Sequence, residues 1–377
     1  METIRYLAQP EKQQTRTLYE RAFPEDSGAF VDYYYQWKTA DNRILVMEEE
    51  GRIQVMIHLN PYTFQICGVR QQIPYIVAVA TRPDCRRQGK MRRLMNRLLQ
   101  DLEQQKCPFT ILLPADPAYY ESQGFVFVPK QNEWEMFRAE PHLKAAEAEV
   151  RKSAETVRKP EVRKSAETVR KPEVRKSAET VRGLEVRKAG EADIPELVKL
   201  SNGILQRNSQ IFAVRDRAYY QRLLAETQAE QGGVLLLTSP GNIREILVYG
   251  MEGAERPAAE IKELLQAFPA EPEELRTLCE KVLPGCEISF SRPRMMVRIA
   301  SLETLVSMLK SERSWSFAVK VRDSAVKANC GCFRITLNAD GGKLERIPDR
   351  GELPELDISE LALELLQDIY LDFREWV

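Results

Sequence analysis

Histidine is almost missing: His58 and His142 are the only two in 377 residues. So few argue against a Ser–His–Asp triad or a histidine-ligated metal. Net charge is nearly absent too, with 55 Lys and Arg against 56 Asp and Glu, so nucleic acid is not expected as a partner. No stretch approaches the roughly eighteen apolar residues of a transmembrane helix, and no membrane partner is expected. The opening METIRYLAQPEKQQ lacks the apolar region of a signal peptide. The seven cysteines are odd in number and scattered, which suits a reducing, cytoplasmic setting. Their one close pair, Cys330-Gly331-Cys332, has no histidine nearby and reads as structural, so no metal is expected. The GxGxxG and GK[ST] phosphate-binding signatures are both missing.

What is there centres on Ile76–Arg92, IVAVATRPDCRRQGKMR. Ile76–Ala80 is apolar and rich in β-branched residues, as in a buried strand. Thr81-Arg82-Pro83-Asp84 is turn chemistry. From Met91 the apolar residues change period: Leu94, Met95, Leu98, Leu99 and Leu102 follow at helical spacing. The stretch therefore reads as strand, basic glycine-containing loop, helix. Such a loop suits a pyrophosphate. The first N–H groups of a helix lack intrahelical acceptors and carry the positive end of the helix dipole. Gly89 permits close backbone approach, and Arg86, Arg87, Lys90, Arg92 and Arg93 add positive charge.

Around this unit the first 140 residues read as an α/β domain. Strands are expected at 3–8, 43–48, 53–60, 62–67, 71–80, 109–114 and 125–129, with helices at 11–23 and 91–105. Residues 30–38 are dense in aromatics and read mainly as a helix packing on the core. Some of them, Trp37 included, are expected in an acceptor pocket beside Glu25, Asp26 or Asp32, which would favour a cationic amine. Residues 149–184 repeat EVRKSAETVRKP with a period of twelve and a changed last end. Two valines per unit cannot offset chain entropy, so 141–184 reads as a charged linker. Beyond it, 185–290 opens with a strand and a helix capped by Asp193. No Arg-x-x-Gly loop follows a strand there. A hairpin is expected over 233–249 and helices at 258–268 and 273–282. From 291 to 377 strands and helices alternate in a third texture.

The loop Arg86–Met91 resembles motif A of the GCN5-related N-acetyltransferases (GNAT), in which Arg86 and Gly89 match and Met91 replaces a small residue. Ala115-Asp116-Pro117-Ala118-Tyr119-Tyr120-Glu121-Ser122-Gln123-Gly124-Phe125 resembles the same family's second mark, an aromatic pair before E-x-x-GF. The order of the whole chain resembles the Eis (enhanced intracellular survival) family. That resemblance implies an α/β (α+β) fold class. It gives a catalytic GNAT domain at 1–140, the linker, a degenerate GNAT-like domain at 185–290 and a sterol-carrier-like domain at 291–377.

It further implies acetyl-CoA as co-substrate, held by Val77, Ala78 and Val79, by Arg87, Gln88, Gly89, Lys90, Met91 and Arg92, and alongside Ala115 and Asp116. A primary amine, aminoglycoside-like or a lysine side chain, is the expected acceptor, with Glu25, Asp26 and Trp37 as its binding residues. Tyr120 is the expected general acid and its neighbour Tyr119 is expected to be buried. The C-terminal carboxylate on Val377 is the expected base, with Glu375, Glu25 and Asp26 as the alternatives because the tail QDIYLDFREWV looks short. A homo-oligomer, a hexamer, is implied by the resemblance alone. The competing readings are a non-catalytic CoA-binding scaffold and a lipid-binding protein working through 291–377.

Overall fold

The structure, a computed structural model, describes residues 2–131, 180–181, 184–239, 242–252, 258–266, 272–290, 294–349 and 351–373. Val377, Glu375 and nearly all of the 149–184 repeat lie outside the described residues. Contacts group 1–132, 189–234 and 293–377 in one compact unit, and 133–188 with 235–292 in a second.

The first unit begins with β1 (Glu2–Tyr6), a 3-10 turn at Gln9–Thr15, α1 (Arg16–Ala22) and α2 (Gly28–Tyr33). Next come β2 (Arg43–Glu49), β3 (Arg52–Ile66) and β4 (Val69–Thr81). Both hairpins among these strands turn on pairs with positive φ, Glu50-Gly51 and Cys67-Gly68. That conformation matches the right-handed twist of the flanking strands. After β4 the chain crosses over through α3 (Lys90–Gln104) to β5 (Phe109–Leu112), which is parallel to β4. Met91, Leu94, Met95, Leu98, Leu99 and Leu102 give α3 its buried face, as their spacing predicts. Then follow α4 (Pro117–Glu121), β6 (Val126–Phe127) and β7 (Lys130–Gln131).

Distant segments complete this sheet. Its order is β6, Met296–Ile299, β5, β4, β3, Ile211–Ala213, Tyr370–Asp372, β7, with β2 and β1 also joined through β3. Besides β4, β3 serves two further partners because it is fifteen residues long. Its first half pairs with β2, and Phe64–Ile66 pair with Ile211–Ala213. Met296–Ile299 is buried at all four residues and antiparallel to both β5 and β6. A separate four-stranded sheet runs Gly342–Arg346, Gly331–Leu337, Trp315–Arg322, Glu355–Asp357, with helices Leu302–Met308 and Ile358–Leu366. The helices Ile194–Asn208 and Arg217–Ala229 belong to this unit. Asp193 stands at the N-cap of Ile194–Asn208, as expected, and its carboxylate accepts from the Gly190 N–H (2.9 Å), closing a 3-10 turn ahead of the helix.

The second sheet runs Glu287–Phe290, Ala258–Gln266, Asn242–Glu252, Gly233–Ser239, Leu184–Lys188, Thr180–Val181. Ala258–Gln266 corrects the expected helix at 258–268. AAEIKELLQ is rich in helix formers, yet it pairs along its length with Asn242–Glu252 and, in parallel, with Glu287–Phe290. Ala259, Ile261, Leu264 and Leu265 are buried there, and burial between two partners outweighs local propensity. The helix expected at 273–282 forms as Pro272–Val282.

Candidate active site

β4 is irregular at the residues the sequence singled out. Met56 faces Ala80 and His58 faces Val77, so Ala78 and Val79 together oppose Ile57. Ala78 carries the strain of this bulge at φ 49°. β4 pairs with β5 only at Tyr75–Ile76 against Ile111–Leu112. Beyond that point the two strands part, and among the described residues no strand pairs with Val77–Val79 on the β5 side. An extended chain bearing amides fits such a gap as an added strand.

The gap leads to the basic loop. Pro83–Cys85 forms a 3-10 turn, clamped by Arg82 on Asp84 (3.0 and 2.8 Å). Arg86 Nε donates to the Thr81 carbonyl (3.3 Å) and Gln88 Nε2 to the Asp84 carbonyl (3.2 Å). Arg87 and Gly89 both take left-handed conformations, at φ 60° and 69°. Gly89 is the N-cap of α3 and no side chain caps it. The first bond back to it comes from the Arg93 N–H (3.1 Å), so the N–H groups of Lys90, Met91 and Arg92 have no intrahelical acceptor. They present an anion site at the positive end of a fifteen-residue helix.

Side chains divide the work here. Met91 is buried in the α3 core face, which leaves the loop open although a small residue is replaced. Lys90 Nζ meets Gln54, Glu2 (3.4 Å) and Glu49 (3.8 Å), so its charge is already neutralised and its contribution to the site is the main-chain N–H. Arg86, Arg87 and Arg92 are exposed and have no carboxylate partner among the described residues.

Tyr120 stands beyond the end of β5. Asp116 caps α4 by accepting from the Ala118 N–H (3.2 Å), and both Ala115 and Asp116 are exposed. The Tyr120 carbonyl accepts from Gln123 (2.9 Å) and Phe125 (3.2 Å), and its ring meets Phe125 edge-on at 5.8 Å. Burial, then Tyr119 and Asp116, push the Tyr120 hydroxyl well above its usual range, which keeps it protonated and a donor. Tyr119 corrects its expectation: it is 37% exposed, whereas Tyr120 is half-buried. The five-residue helix turns the first aromatic of the pair outward.

The aromatic segment behaves as core for the most part. Tyr33, Tyr34 and Tyr35 are buried with Tyr19 and Phe30. Tyr35 shares a hydrogen bond with Thr15 (2.9 Å) and Tyr34 with His58 Nδ1 (3.0 Å). Of the expected acceptor residues, Glu25 and Trp37 are exposed and Asp26 is half-buried, accepting from the Tyr19 hydroxyl (2.7 Å). Asp32 is engaged by Arg16 (2.7 Å). The sequence reading missed Lys38, buried against Glu226 (3.1 Å) and donating to the Tyr62 hydroxyl (3.2 Å). It missed Phe373 as well. That ring is buried against Tyr62, Phe64 and Tyr75 at 4.9–5.3 Å, on β3 and β4 two residues short of Val77. Only the aromatic content of the tail signalled it. Among the described residues no three His, Cys, Asp or Glu side chains gather as a metal site, and no helix is long and apolar enough to cross a membrane.

Residues 3–128 match the family described as acetyltransferase (GNAT) domain. Over that segment, less than half of the chain, the sequence is similar to a GNAT acetyltransferase domain. The enzyme class that follows is N-acetyltransferase, with acetyl-CoA and an amine as the reacting pair. No curated protein matches the chain by sequence. Among solved structures it is similar to a conserved protein of unknown function from Enterococcus faecalis V583, described as a probable N-acyltransferase. That likeness has 15% identity and a TM-score of 0.67 over 96% of this chain and 89% of the other. A GCN5-related N-acetyltransferase from Kribbella flavida gives 14% identity and a TM-score of 0.66 over 100% of both chains. Eis1 from Mycobacterium abscessus gives 13% and 0.58 over 97% of this chain and 89% of that one. At these identities the likeness is one of fold. It supports the mixed α/β class with tandem GNAT-like parts.

Proposed function

We propose that this acetyltransferase transfers the acetyl group of acetyl-CoA directly to a primary amine. The observation that carries the reading is the opening between β4 and β5 at Val77–Val79, followed along the chain by the uncapped N-terminus of α3. In this reading the N–H groups from Gln88 to Arg92 hold the pyrophosphate, with Arg87 and Arg92 beside it. Val77, Ala78 and Val79 hold the amide-bearing arm, and Ala115 and Asp116 border it. The neutral amine attacks the thioester carbonyl carbon. The oxyanion that develops is met by the main-chain N–H near Val79. As the C–S bond breaks, the thiolate takes its proton from Tyr120. The attacking nitrogen gives its surplus proton to the α-carboxylate of Val377, the chain terminus four residues beyond Phe373. An α-carboxylate is a weak base, so a bridging water is part of the scheme.

The acceptor in this proposal is an aminoglycoside-like polyamine or a lysine side chain, met by Glu25, Asp26 and Trp37. Residues 1–140 are the catalytic domain, 141–184 a charged linker, 185–290 a degenerate GNAT-like domain and 291–377 a sterol-carrier-like domain that supplies the C-terminus. The working form is a cytoplasmic homo-oligomer, a hexamer. The test is CoA release from acetyl-CoA with polyamines, aminoglycosides and lysine peptides. Release with any of these supports the reading. Tight CoA binding without release from any amine turns it to the scaffold reading.

A further inference from the structure

Arg298 is a charge where a strand calls for an apolar residue. It is the third residue of Met296–Ile299, and its exposure is 0%. The guanidinium is fixed on three sides. Nη2 donates to Asp323 Oδ1 at 2.6 Å, Nη1 to the Ile299 carbonyl at 2.5 Å and Nε to the Gln123 carbonyl at 2.8 Å. Asp323 is fixed in turn, accepting from the N–H groups of Ala325 (2.9 Å) and Val326 (3.0 Å) and from Asn329 Nδ2 (2.9 Å). A buried ion pair contributes little stability over apolar residues of the same volume. Its presence inside the sheet, between β5 and β6, therefore asks for another use.

The Gln123 carbonyl suggests that use. Gln123 and Phe125 donate to the Tyr120 carbonyl, and Gly124 to that of Glu121 (2.9 Å), so residues 120–125 close into one turn. Arg298 pins that turn at its apex. Gly124 sits directly on the guanidinium: at φ 82°, a Cβ there would lie 2.8 Å from Arg298 Nε and 3.0 Å from Ile358 Cγ2. α4 buries none of its five residues and cannot hold Tyr120 in place by its own packing. The rigid reference for this turn is a strand supplied from almost two hundred residues downstream.

We propose that Arg298, oriented by Asp323, is a positioning residue that sets where the Tyr120 hydroxyl stands relative to the departing sulfur. The proposal rests on Tyr120 as general acid. Met296–Ile299 thereby makes the C-terminal third part of the catalytic machinery, and the acetyltransferase domain 3–128 alone would lack it.

A double-mutant cycle in the full chain tests this. Arg298→Lys keeps a charge for Asp323 and cannot reproduce the three-sided hold. Gly124→Ala pushes on the same contact from the turn and carries the test where Arg298→Lys does not fold. Each is measured alone and combined with Tyr120→Phe, by CoA release with acetyl-CoA and an accepted amine. Each single variant is expected to lose roughly 10- to 100-fold in kcat, the scale of a displaced catalytic group, with KM for acetyl-CoA within about twofold. Added to Tyr120→Phe, neither is expected to cost more, because the group it positions is gone. Losses that multiply in the double variants, or full kcat in the single ones, overturn the proposal. Unchanged kcat in Tyr120→Phe by itself overturns the general-acid reading beneath it, a separate result.

Discussion

The ring of Phe373 lies 5.1 Å from that of Tyr75, crossing it at 64°, on the strand that carries the bulge at Ala78. A residue of the tail thus packs on rings from both β3 and β4, touching Tyr62 and Phe64 as well. Phe373 is 1% exposed. Truncating a buried phenylalanine removes its transfer free energy and leaves a cavity, together about 3–5 kcal/mol. Phe373→Ala is expected to destabilise the first unit by that amount in denaturant unfolding. A change below about 1 kcal/mol would mean that the tail is not docked there in solution.

His58 should set an acid limit to stability. It is fully buried, one ring nitrogen facing the Tyr34 hydroxyl, and burial, with Lys12 adding to it, pushes its pKa down to about 3. The unfolded chain protonates this ring near 6.5. Below that pH the unfolded state binds a proton that the folded state refuses, so stability is full above about 6.5 and falls as the pH drops toward 3. His58→Gln keeps a hydrogen-bonding group for Tyr34 and removes the titration. Its unfolding free energy is expected to fall less steeply than that of the parent between pH 6.5 and 4. Parallel curves would show that another group sets the limit.

Tyr120→Phe removes the proton donor and leaves the ring against Phe125. A positioned general acid contributes roughly 10²- to 10⁴-fold, so kcat is expected to drop at least about a hundredfold with acetyl-CoA binding intact. Burial holds the hydroxyl above its ordinary value near 10, so it stays protonated across the neutral range. In the parent, activity should therefore rise as the amine deprotonates and show no fall from Tyr120 until above pH 10. A descending limb near neutrality that vanishes in Tyr120→Phe would contradict this.

The local units of the site were legible before the fold was. Ile76–Arg92 announced itself because a change from β-branched run to helical period is written in adjacent residues, and α3 begins within one residue of its expected start. The pair Tyr119-Tyr120 is singled out by a short local pattern as well. What stayed hidden depends on long-range placement. Nothing near Arg298 says that it will sit between β5 and β6, since that pairing joins residues almost two hundred apart. The same holds for Phe373 and for the buried Lys38–Glu226 pair. Ala258–Gln266 shows the converse: nine residues whose propensity favours a helix are a strand because partners lie on both sides. Lys90 looked like a phosphate-binding charge, but its partners Glu2 and Glu49 come from other strands.

Gly89 tests the anion site apart from the chemistry. A Cβ at this position meets nothing within 4 Å, so Gly89→Ala creates no clash. Its cost is conformational, because φ 69° is left-handed and disfavours a side chain by roughly 1–2 kcal/mol. Part of that cost is relieved when the loop relaxes and the N–H groups of Lys90, Met91 and Arg92 turn from the pyrophosphate. KM for acetyl-CoA is expected to rise about fivefold or more while kcat at saturation holds. Unchanged KM would place the pyrophosphate elsewhere.

In the proposed scheme the base is the terminal carboxylate of Val377, four residues beyond the buried ring of Phe373. Removing Val377 shortens the chain beyond that ring by one residue, at most about 3.5 Å of reach, and one added glycine lengthens it by as much. Either change leaves Phe373 and its contacts in place, so unfolding should be unaffected. A carboxylate displaced by a whole residue can no longer take a proton from the attacking nitrogen, and kcat is expected to fall at least tenfold in both variants. The pair is more informative than the deletion alone, since a tail that merely fills space would tolerate the extension and the deletion differently. If both variants keep full activity, the proton goes to an acidic side chain instead. Glu25→Gln and Asp26→Asn would then separate the exposed carboxylate from the one that accepts from Tyr19.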